Sequence, residues 1–441
     1  MATSVEEVAD RLQGVFLGTP ERLARSSGFV QRSSKVTGPA FVQGLTFGWL
    51  NNPHATLEEL AQSMGNVGVN VSPQGLDKRF TPQAARLLLG VLEDAVNRVV
   101  TSNPVAVPIF RRFAGGVALL DATWVTLPDA LADIWRGCAT HLPNGGRAVI
   151  KLQVQINLLT GQLTGPMLEP GRASDHRSKL QHAPLAPGTL RLADLGYFCL
   201  RRFAELSRQG VYWLSRLEYG VKLYDAAGTE WSVADFLRQR QATELDVLIA
   251  VGRKDPLPCR LLAKRVPPEV AAKRRKRIRE KAVRKGRRVS QERWELAAWT
   301  VYITNVPIEK LSLKEALVLG RCRWQIELLF KLWKNEGHID ESRSAKPWRI
   351  LCEVYAKLLG MVVQHWLLLV SCWSHADRSL VKASRAVRAS ALLLAKRLQL
   401  GYLVCATLES LQVWLAVGSR INKRRKDPPT FQLLSRLSKA G

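Results

Sequence analysis

The chain has 441 residues, 46% of them hydrophobic and 23% charged, which excludes a wholly disordered protein because enough apolar material is present for hydrophobic cores. Lys and Arg number 65 against 37 Asp and Glu, so the formal net charge is +28. An excess of this size is usually tolerated because a polyanion neutralises it, so nucleic acid is the first partner to expect and a membrane surface the second.

Membrane insertion and secretion both find little support in the sequence. The most apolar stretch, 358–373, contains Gln364 and His365 and is shorter than the ~20 apolar residues of a comfortable span, which predicts a buried helix. The N-terminus lacks the basic start and apolar run of a secretory signal. The seven cysteines are scattered and never spaced C-x2-C, which argues against a disulfide framework and against structural zinc. We therefore expect a soluble cytoplasmic protein with no membrane partner.

Residues 1–105 are predicted to be helical. A capping-box pattern begins at Thr56, and Ser72 followed by proline marks the start of a second helix. Two short helices around a turn, the second carrying Lys78 and Arg79 as candidate DNA contacts, suit a helix-turn-helix. The same pattern fits an ordinary helical hairpin, and both interpretations stay open.

From about 114 to 220 the pattern changes to alternating strands and helices. Apolar runs and period-two alternation predict strands at 117–120, 148–157, 162–168, 189–193 and 211–215. A Thr-Gly turn makes the second and third of these a hairpin, and a helix is expected over 198–208. This succession predicts a mixed α/β sheet.

A very basic segment then interrupts the pattern. Strand-like runs flank residues 264–293, which hold 14 Lys and Arg against three acids. A charge run is often only a solvated helix face or a disordered tail, but the flanking runs (246–251 and 299–304) favour a surface that follows DNA phosphates. Its candidate contacts are Lys273, Arg274, Arg275, Lys276 and Arg277.

Three acidic residues could carry chemistry. Asp121 and Asp194 each follow a short buried run, and strand ends are where α/β sheets present functional side chains. Capping of the next turn is the structural alternative for either one. Glu327 lies in a helix predicted over 321–334, where it shares about one face with cationic neighbours, as a simple salt-bridged helix also would.

Together the three acids suit two-metal chemistry. Two Asp and one Glu can hold two divalent cations ~3.5–4 Å apart, which activate the attacking oxygen and the leaving oxygen of a phosphodiester displacement. Because Mg²⁺ prefers carboxylate oxygens, two Mg²⁺ ions are the predicted cofactor, with Mn²⁺ as a substitute. The histidines have no spaced partners and are expected to be structural, with His338 the one that merits attention.

At these residues the sequence resembles an insertion-sequence DDE transposase of the IS-four type. Leu120-Asp-Ala-Thr-Trp124 matches the family's first catalytic aspartate, and Asp194-Leu-Gly-Tyr-Phe198 matches the second, in its D-x-G-[YF] context. The family's third acid lies in Y-x2-R-x3-E-x6-K, and the R, E and K positions are occupied with the required spacing by Arg323, Glu327 and Lys334. The matches come in the right order, and the resemblance covers essentially the whole chain.

The resemblance implies an RNase H-like mixed-sheet core interrupted by a β-rich insertion and flanked by helical domains. The expected segments are a helical DNA-binding domain (1–105), a first part of the core (106–220), a basic β-rich insertion (221–307), a second part of the core with the catalytic glutamate (308–347) and a helical C-terminal domain with a basic tail at 423–426 (348–441). The resemblance makes the three acids metal ligands and gives Arg323 and Lys334 the role of steadying phosphates. It also implies a bacterial, nucleoid-associated protein that forms a homodimer on transposon-end and target DNA.

One position departs from the family pattern. Gly320 stands where the signature has Tyr, which affects one phosphate contact but not the metal site. In relatives an aromatic residue from an insertion strand stacks on a flipped-out base. Trp299 stands at the matching place and Trp324 is a second candidate, although core packing is an alternative for both. Asp175 is a competing carboxylate for the second acid, but it follows no clear buried strand, so Asp194 is preferred.

The sequence therefore predicts a transposase that binds terminal inverted repeats, cleaves the ends by metal-dependent hydrolysis and joins the 3′-OH ends to target DNA. A repurposed transposase that only binds DNA is one alternative, although DNA binding alone would not need three acids in a basic protein. An RNase H-like nuclease, which would cleave without joining, is the other.

Overall fold

The computed structural model describes residues 2–32, 34–138, 147–422 and 430–437, so the basic cluster 423–426 lies outside the described residues. The chain divides into two compact units. Unit 1 contains Met1–Pro108, Asp121–Ser174 and Gln325–Gln432, and unit 2 contains Ile109–Leu120, Asp175–Trp324 and Leu433–Gly441.

The N-terminal part of unit 1 is helical, as predicted. Its helices are α1 (Val5–Gln13), α2 (Thr19–Ser26), α3 (Gly38–Asn51), α4 (Leu57–Asn66), α5 (Pro73–Asp77) and α6 (Pro82–Val96). The predicted capping box is present, because the Thr56 N–H donates to the Glu59 carboxylate at 2.6 Å and the Glu59 N–H donates to the Thr56 hydroxyl at 3.2 Å. Ser72 caps α5 and proline begins it, although α5 is only five residues long.

The next segment carries the predicted strands. In chain order it contains α7 (Pro108–Arg111), β1 (Val117–Leu127), β2 (Ala148–Asn157), β3 (Leu163–Pro170), α8 (Lys179–His182), β4 (Leu190–Ala193), α9 (Leu200–Arg208) and β5 (Tyr212–Arg216). In unit 1, β2 and β3 form the predicted antiparallel hairpin. In unit 2, the first residues of β1 pair in parallel with β4, so that Leu120 lies opposite Ala193, and β4 pairs in parallel with β5.

Strand β1 is longer than predicted, so the expectation that Asp121 ends a strand is wrong. The strand continues to Leu127, and Asp121 lies within it. Thr123, Val125 and Leu127 are buried and alternate with more exposed neighbours, which is the pattern of a half-buried strand. Because β4 ends at Ala193, Asp121 stands where β1 loses its parallel partner.

The rest of unit 2 extends the sheet with antiparallel strands. Its elements are β6 (Leu223–Tyr224), β7 (Glu230–Trp231), α10 (Val233–Arg240), β8 (Glu244–Val251), β9 (Leu257–Arg265), α11 (Pro268–Arg284), α12 (Gln291–Leu296) and β10 (Trp299–Thr304). From β5 the strand order is β10, β9, β8, β6 and β7. The sheet is therefore mixed, as the sequence predicts, and the basic segment folds mainly as helix α11.

The C-terminal part of the chain is helical, as predicted. Its helices are α13 (Leu313–Cys322), α14 (Trp324–Asn335), α15 (Pro347–Ser371), α16 (Leu380–Ala389), α17 (Ala391–Arg397), α18 (Gly401–Val417) and α19 (Thr430–Leu437). The single helix predicted over 321–334 is divided at Arg323, which caps α13. Helix α15 is the predicted buried helix. It is long and apolar enough to span a membrane, but 94% of its most apolar stretch is buried inside the protein.

Candidate active site

Asp194 lies where the sequence predicts it, directly after β4. It begins the turn Leu195–Tyr197, and its carbonyl accepts a hydrogen bond from the Tyr197 N–H at 3.0 Å. Arg323 Nε lies 3.8 Å from Asp194 Oδ1, and the Asp194 side chain is 48% exposed. Because an ion pair this long and this exposed adds little stability, it leaves the carboxylate able to bind a further cation.

A buried network holds the turn that carries Asp194. Arg191 on β4 is buried, and burial lowers the pKa of its guanidinium to about 10. Arg191 donates a hydrogen bond to Gln181 Oε1, and Gln181 Nε2 donates to the carbonyl of Tyr197 at 3.1 Å. Arg202 Nε donates to the backbone carbonyl of Gln181 at 3.1 Å. Strand β4, which precedes Asp194, and the turn that follows it are thereby both bonded to Gln181.

The competing carboxylate, Asp175, lies beside the same turn. A Cβ atom added to Gly196 would lie 2.9 Å from Asp175 Oδ2. Glycine in the Asp194-Leu-Gly196 motif is therefore needed for the close approach of this carboxylate. Asp175 sits in the short turn Asp175–Arg177 and not after a strand, as the sequence indicates.

In unit 1, Lys334 connects helix α14 to strand β1. Its Nζ donates to the carbonyl of Trp124 at 2.8 Å and lies 3.3 Å from Asp340 Oδ2. Asp121 precedes Trp124 by three strand residues, and Glu327 precedes Lys334 by seven helix residues. Both separations are about 10 Å along their elements. Asp121 on β1 and Glu327 on α14 therefore lie at similar distances, measured along their elements, from the contact between Lys334 and Trp124.

The two candidate tryptophans differ in their surroundings. Trp324, at the start of α14, is 45% exposed. Trp299, on β10, is partly buried and packs against the hydrophobic cluster of unit 2, and its carbonyl accepts a hydrogen bond from Arg274 at 2.7 Å. Exposure favours Trp324 over Trp299 as a ring that can stack on a base.

The space beside Gly320 is occupied by a residue that the sequence analysis missed. A Cβ atom at Gly320 would lie 2.3 Å from the hydroxyl oxygen of Tyr302, which is 6% exposed. A tyrosine at position 320 would therefore have to displace Tyr302 from β10. The sequence carries one indication of such a residue. Gly320 stands where the family signature has a bulky residue, which implies that another side chain fills the space.

The basic run on α11 divides into two kinds of residue. Lys273, Lys276 and Arg277 are exposed. Arg274 donates to the Trp299 carbonyl and to the Thr300 hydroxyl, and burial lowers its pKa. Arg275 donates to the Trp294 carbonyl at 3.2 Å and lies over the Trp294 ring. Two of the five candidate phosphate contacts therefore hold the helix to the protein.

The two N-terminal candidate DNA contacts, Lys78 and Arg79, also divide into an exposed residue and a residue that holds the fold. Lys78 is exposed at the end of α5. Arg79 donates to the Ser34 hydroxyl at 2.7 Å, and its guanidinium lies 6.0 Å from the centre of the Phe29 ring. Lys78 is therefore the better placed of the two for a phosphate, while Arg79 stabilises the helical part of unit 1.

Comparison with known proteins identifies the family. Residues 112–362 match the family described as Transposase DDE domain. The chain is 29% identical over 379 residues to the transposase for insertion sequence element IS231F of Bacillus thuringiensis subsp. israelensis, which covers 81% of this chain and 78% of that protein. It is 24% identical to the transposase for insertion sequence element IS1151 of Clostridium perfringens, over 79% of this chain and 78% of that protein. It is also 30% identical to the putative transposase InsL for insertion sequence element IS186A of Escherichia coli (strain K12), over 51% of this chain and 62% of that protein. The chain therefore belongs to the DDE family of insertion-sequence transposases, which are enzymes that cleave and transfer DNA.

Proposed function

We propose that Asp121, Asp194 and Glu327 form one catalytic centre, with which this transposase cleaves the ends of its element and transfers them to target DNA. The observation that carries the proposal is the pairing of Leu120 with Ala193, because the two aspartates directly follow these partners. The contact between Lys334 and Trp124 supports Glu327 as the third member, since it joins the two elements that bear Glu327 and Asp121.

The donor set fits divalent metal ions that prefer oxygen. All three residues offer carboxylate oxygens, and the Asp194 carboxylate is about half exposed. Two Mg²⁺ ions, or Mn²⁺ in their place, would there stabilise the charge that develops on the attacking and leaving oxygens of the phosphodiester.

The remaining residues bind and orient DNA. Arg323, beside Asp194, offers a planar cation for a phosphate of the transferred strand. Lys334, whose Nζ also contacts the Trp124 carbonyl and Asp340, offers a second cation. The exposed ring of Trp324 offers a surface for an unstacked base. The exposed cations of α11 and Lys78 hold duplex DNA through its phosphates, which gives affinity without sequence information.

The proposal extends to the organisation of the enzyme. We infer that strands β1–β5 belong to an RNase H-like core, in which β2 and β3 form an antiparallel hairpin and β1, β4 and β5 are parallel. We infer that residues 221–307 form its insertion, whose strands pair only in antiparallel fashion. Terminal inverted repeats are the proposed substrate. Joining two ends requires two catalytic centres held together, so a homodimer is the proposed active form.

The test uses DNA that carries the element's own ends, taken from the sequence that flanks the coding region. Wild type, Glu327→Gln, Asp194→Asn and Asp175→Asn are incubated with Mg²⁺ or with chelator. We expect metal-dependent cleavage and joining by wild type, and a loss of about a thousandfold or more in the first two variants, since several kcal/mol of metal stabilisation is removed. Asp175→Asn is the matched control and should retain activity within about tenfold of wild type.

Each other result has a defined meaning. Full activity of Glu327→Gln contradicts the proposed centre, and loss of activity in Asp175→Asn but not in Asp194→Asn moves the second ligand to Asp175. Cleavage without joining indicates a nuclease. Binding with neither reaction, in Mg²⁺ and in Mn²⁺, indicates a protein that only holds DNA.

A further inference from the structure

Unit 1 brings together two histidines and a glutamate that lie far apart in the sequence. His54 lies in the turn between α3 and α4, while His338 and Glu341 follow α14. The possible ligand atoms of the three side chains all lie within 4.8 Å of one another. Because 284 positions separate the two histidines, no spaced histidine motif is visible in the sequence, and the expectation that His54 is only structural needs revision.

One imidazole nitrogen of this pair makes no hydrogen bond within the part of the chain that the structure describes. The ring centres are 4.2 Å apart with an angle of 56° between the ring planes. His338 Nδ1 is buried and lies 3.2 Å from Glu341 Oε1, yet among the described residues it has no hydrogen-bond partner. A buried polar atom in this state costs free energy unless something else binds it.

The backbone that carries His338 and Glu341 is held in place independently of their side chains. Lys357 Nζ donates to the carbonyls of both residues at 2.9 Å. The charge of Lys357 is balanced by Glu353 at 2.7 Å, and both side chains are buried. His338 adopts φ +45°, a left-handed conformation that is uncommon outside glycine. Such preorganisation of ligand-bearing backbone is what a metal site requires.

The turn that carries His54 is also fixed. The His54 N–H donates to Asn52 Oδ1 at 3.1 Å, and Asn52 Nδ2 donates to Glu59 Oε1 at 3.0 Å at the start of α4. The three side chains therefore approach one point from two preformed segments, at low entropic cost for binding.

We propose that His54, His338 and Glu341 bind one Zn²⁺ ion, with water as the fourth ligand. Two imidazole nitrogens and one carboxylate oxygen are a known donor set for tetrahedral zinc, and imidazole favours zinc over Mg²⁺. The ion joins the turn between α3 and α4 to the segment that follows α14. This site is distinct from the three proposed catalytic carboxylates and does not depend on their assignment.

The test measures zinc binding by the full-length protein after removal of bound metal with chelator. Titrations are run in excess Mg²⁺, which occupies carboxylate sites, with wild type, His54→Ala, His338→Asn and Glu341→Gln. Asparagine also adopts the left-handed conformation, so His338→Asn removes the ligand while keeping the backbone. His375→Ala, which removes an exposed histidine of the same unit, is the matched control.

We expect wild type and His375→Ala to bind one equivalent of zinc, and binding by His54→Ala and His338→Asn to weaken about 100-fold. Glu341→Gln should weaken it at least about tenfold. Zinc should also raise the melting temperature of wild type but not of the two histidine variants, because a ligand of the native state stabilises it. If a histidine variant fails to fold, Glu341→Gln and the Co²⁺ absorption spectrum of wild type, which reports tetrahedral coordination, carry the test. The absence of zinc binding in excess Mg²⁺, or equal binding in wild type and all variants, would overturn the proposal.

Discussion

Among single residues, His365 shows how the burial of a histidine makes the stability of the fold depend on pH. It is 2% exposed in the middle of α15, and its Nε2 donates to the Gly161 carbonyl at 2.7 Å. The Trp373 ring lies edge-on to it, with ring centres 5.5 Å apart. Burial lowers the pKa of this imidazole from 6.5 to about 4, because an imidazolium would lose its hydration there.

This lowered pKa predicts acid sensitivity with a definite sign. As the pH falls below about 6.5 the unfolded chain takes up a proton at this histidine, whereas the folded chain does not until about pH 4, so stability falls with pH across that window. The full effect is on the order of 3 kcal/mol. In His365→Gln the amide can still donate to Gly161 but does not titrate. We expect the free energy of unfolding of wild type to fall more steeply between pH 7 and about pH 4.5 than that of the variant.

The measurement is urea unfolding at a series of pH values, which isolates His365 because all other titrating groups are shared. His375→Gln is the control for an exposed histidine and should parallel wild type. Parallel curves for wild type and His365→Gln would show that the buried histidine does not govern the acid response.

At the scale of elements, helix α11 carries exposed cations, which we propose bind DNA, beside cations that hold the helix to the protein. Removing the exposed pair in Lys276→Ala/Arg277→Ala should weaken binding to any duplex and reduce the slope of log affinity against log salt by about 2, because each lost phosphate contact contributes about 0.9. The melting temperature should not fall, since neither residue is buried and the removal of two cations lowers the net positive charge.

Arg274→Ala is the matched comparison on the same helix. It removes the donors to Trp299 and Thr300, so the melting temperature should fall while the salt slope changes little. Binding isotherms at several salt concentrations and thermal melting of the same preparations check both statements. Equal slopes for the double variant and wild type would mean that α11 does not contact DNA.

The elements also show what the sequence can and cannot predict. Strands with clear apolar runs or alternation, such as β2 and β4, were found within one or two residues. Strand β9 was missed because Arg260 is buried within it, paired with Asp246 and bonded to two carbonyls. Helix α11 buries only Ala271, so no apolar periodicity marked it as a helix.

The candidate site was predictable to a similar extent. Asp194 and Glu327 stand in local sequence contexts that match the family's motifs, and their proposed role rests on that match. Tyr302 beside Gly320, and His54 beside His338, depend on chain segments that meet only after folding. Local patterns report one element at a time, so contacts between elements distant in sequence escape them.

At the scale of the whole molecule, the net charge of +28 is a source of instability that DNA relieves. Like charges on a compact chain repel one another, and salt screens this repulsion, since the Debye length falls from about 10 Å at 0.1 M to about 3 Å at 1 M. We therefore expect the melting temperature of the free protein to rise with sodium chloride concentration. Sulfate is unsuitable here, because it stabilises proteins by exclusion from their surface.

Duplex DNA should raise the melting temperature most at low salt, because it both neutralises the charge and binds the native state. The gain should shrink as salt weakens the complex, so that the curves with and without DNA converge at high salt. Thermal melting over a grid of salt and DNA concentrations measures this, with neutral dextran as the control for crowding. A melting temperature independent of salt would mean that local ion pairs already balance the excess charge. A gain from DNA that persists at high salt would mean that contacts other than phosphate neutralisation dominate the complex.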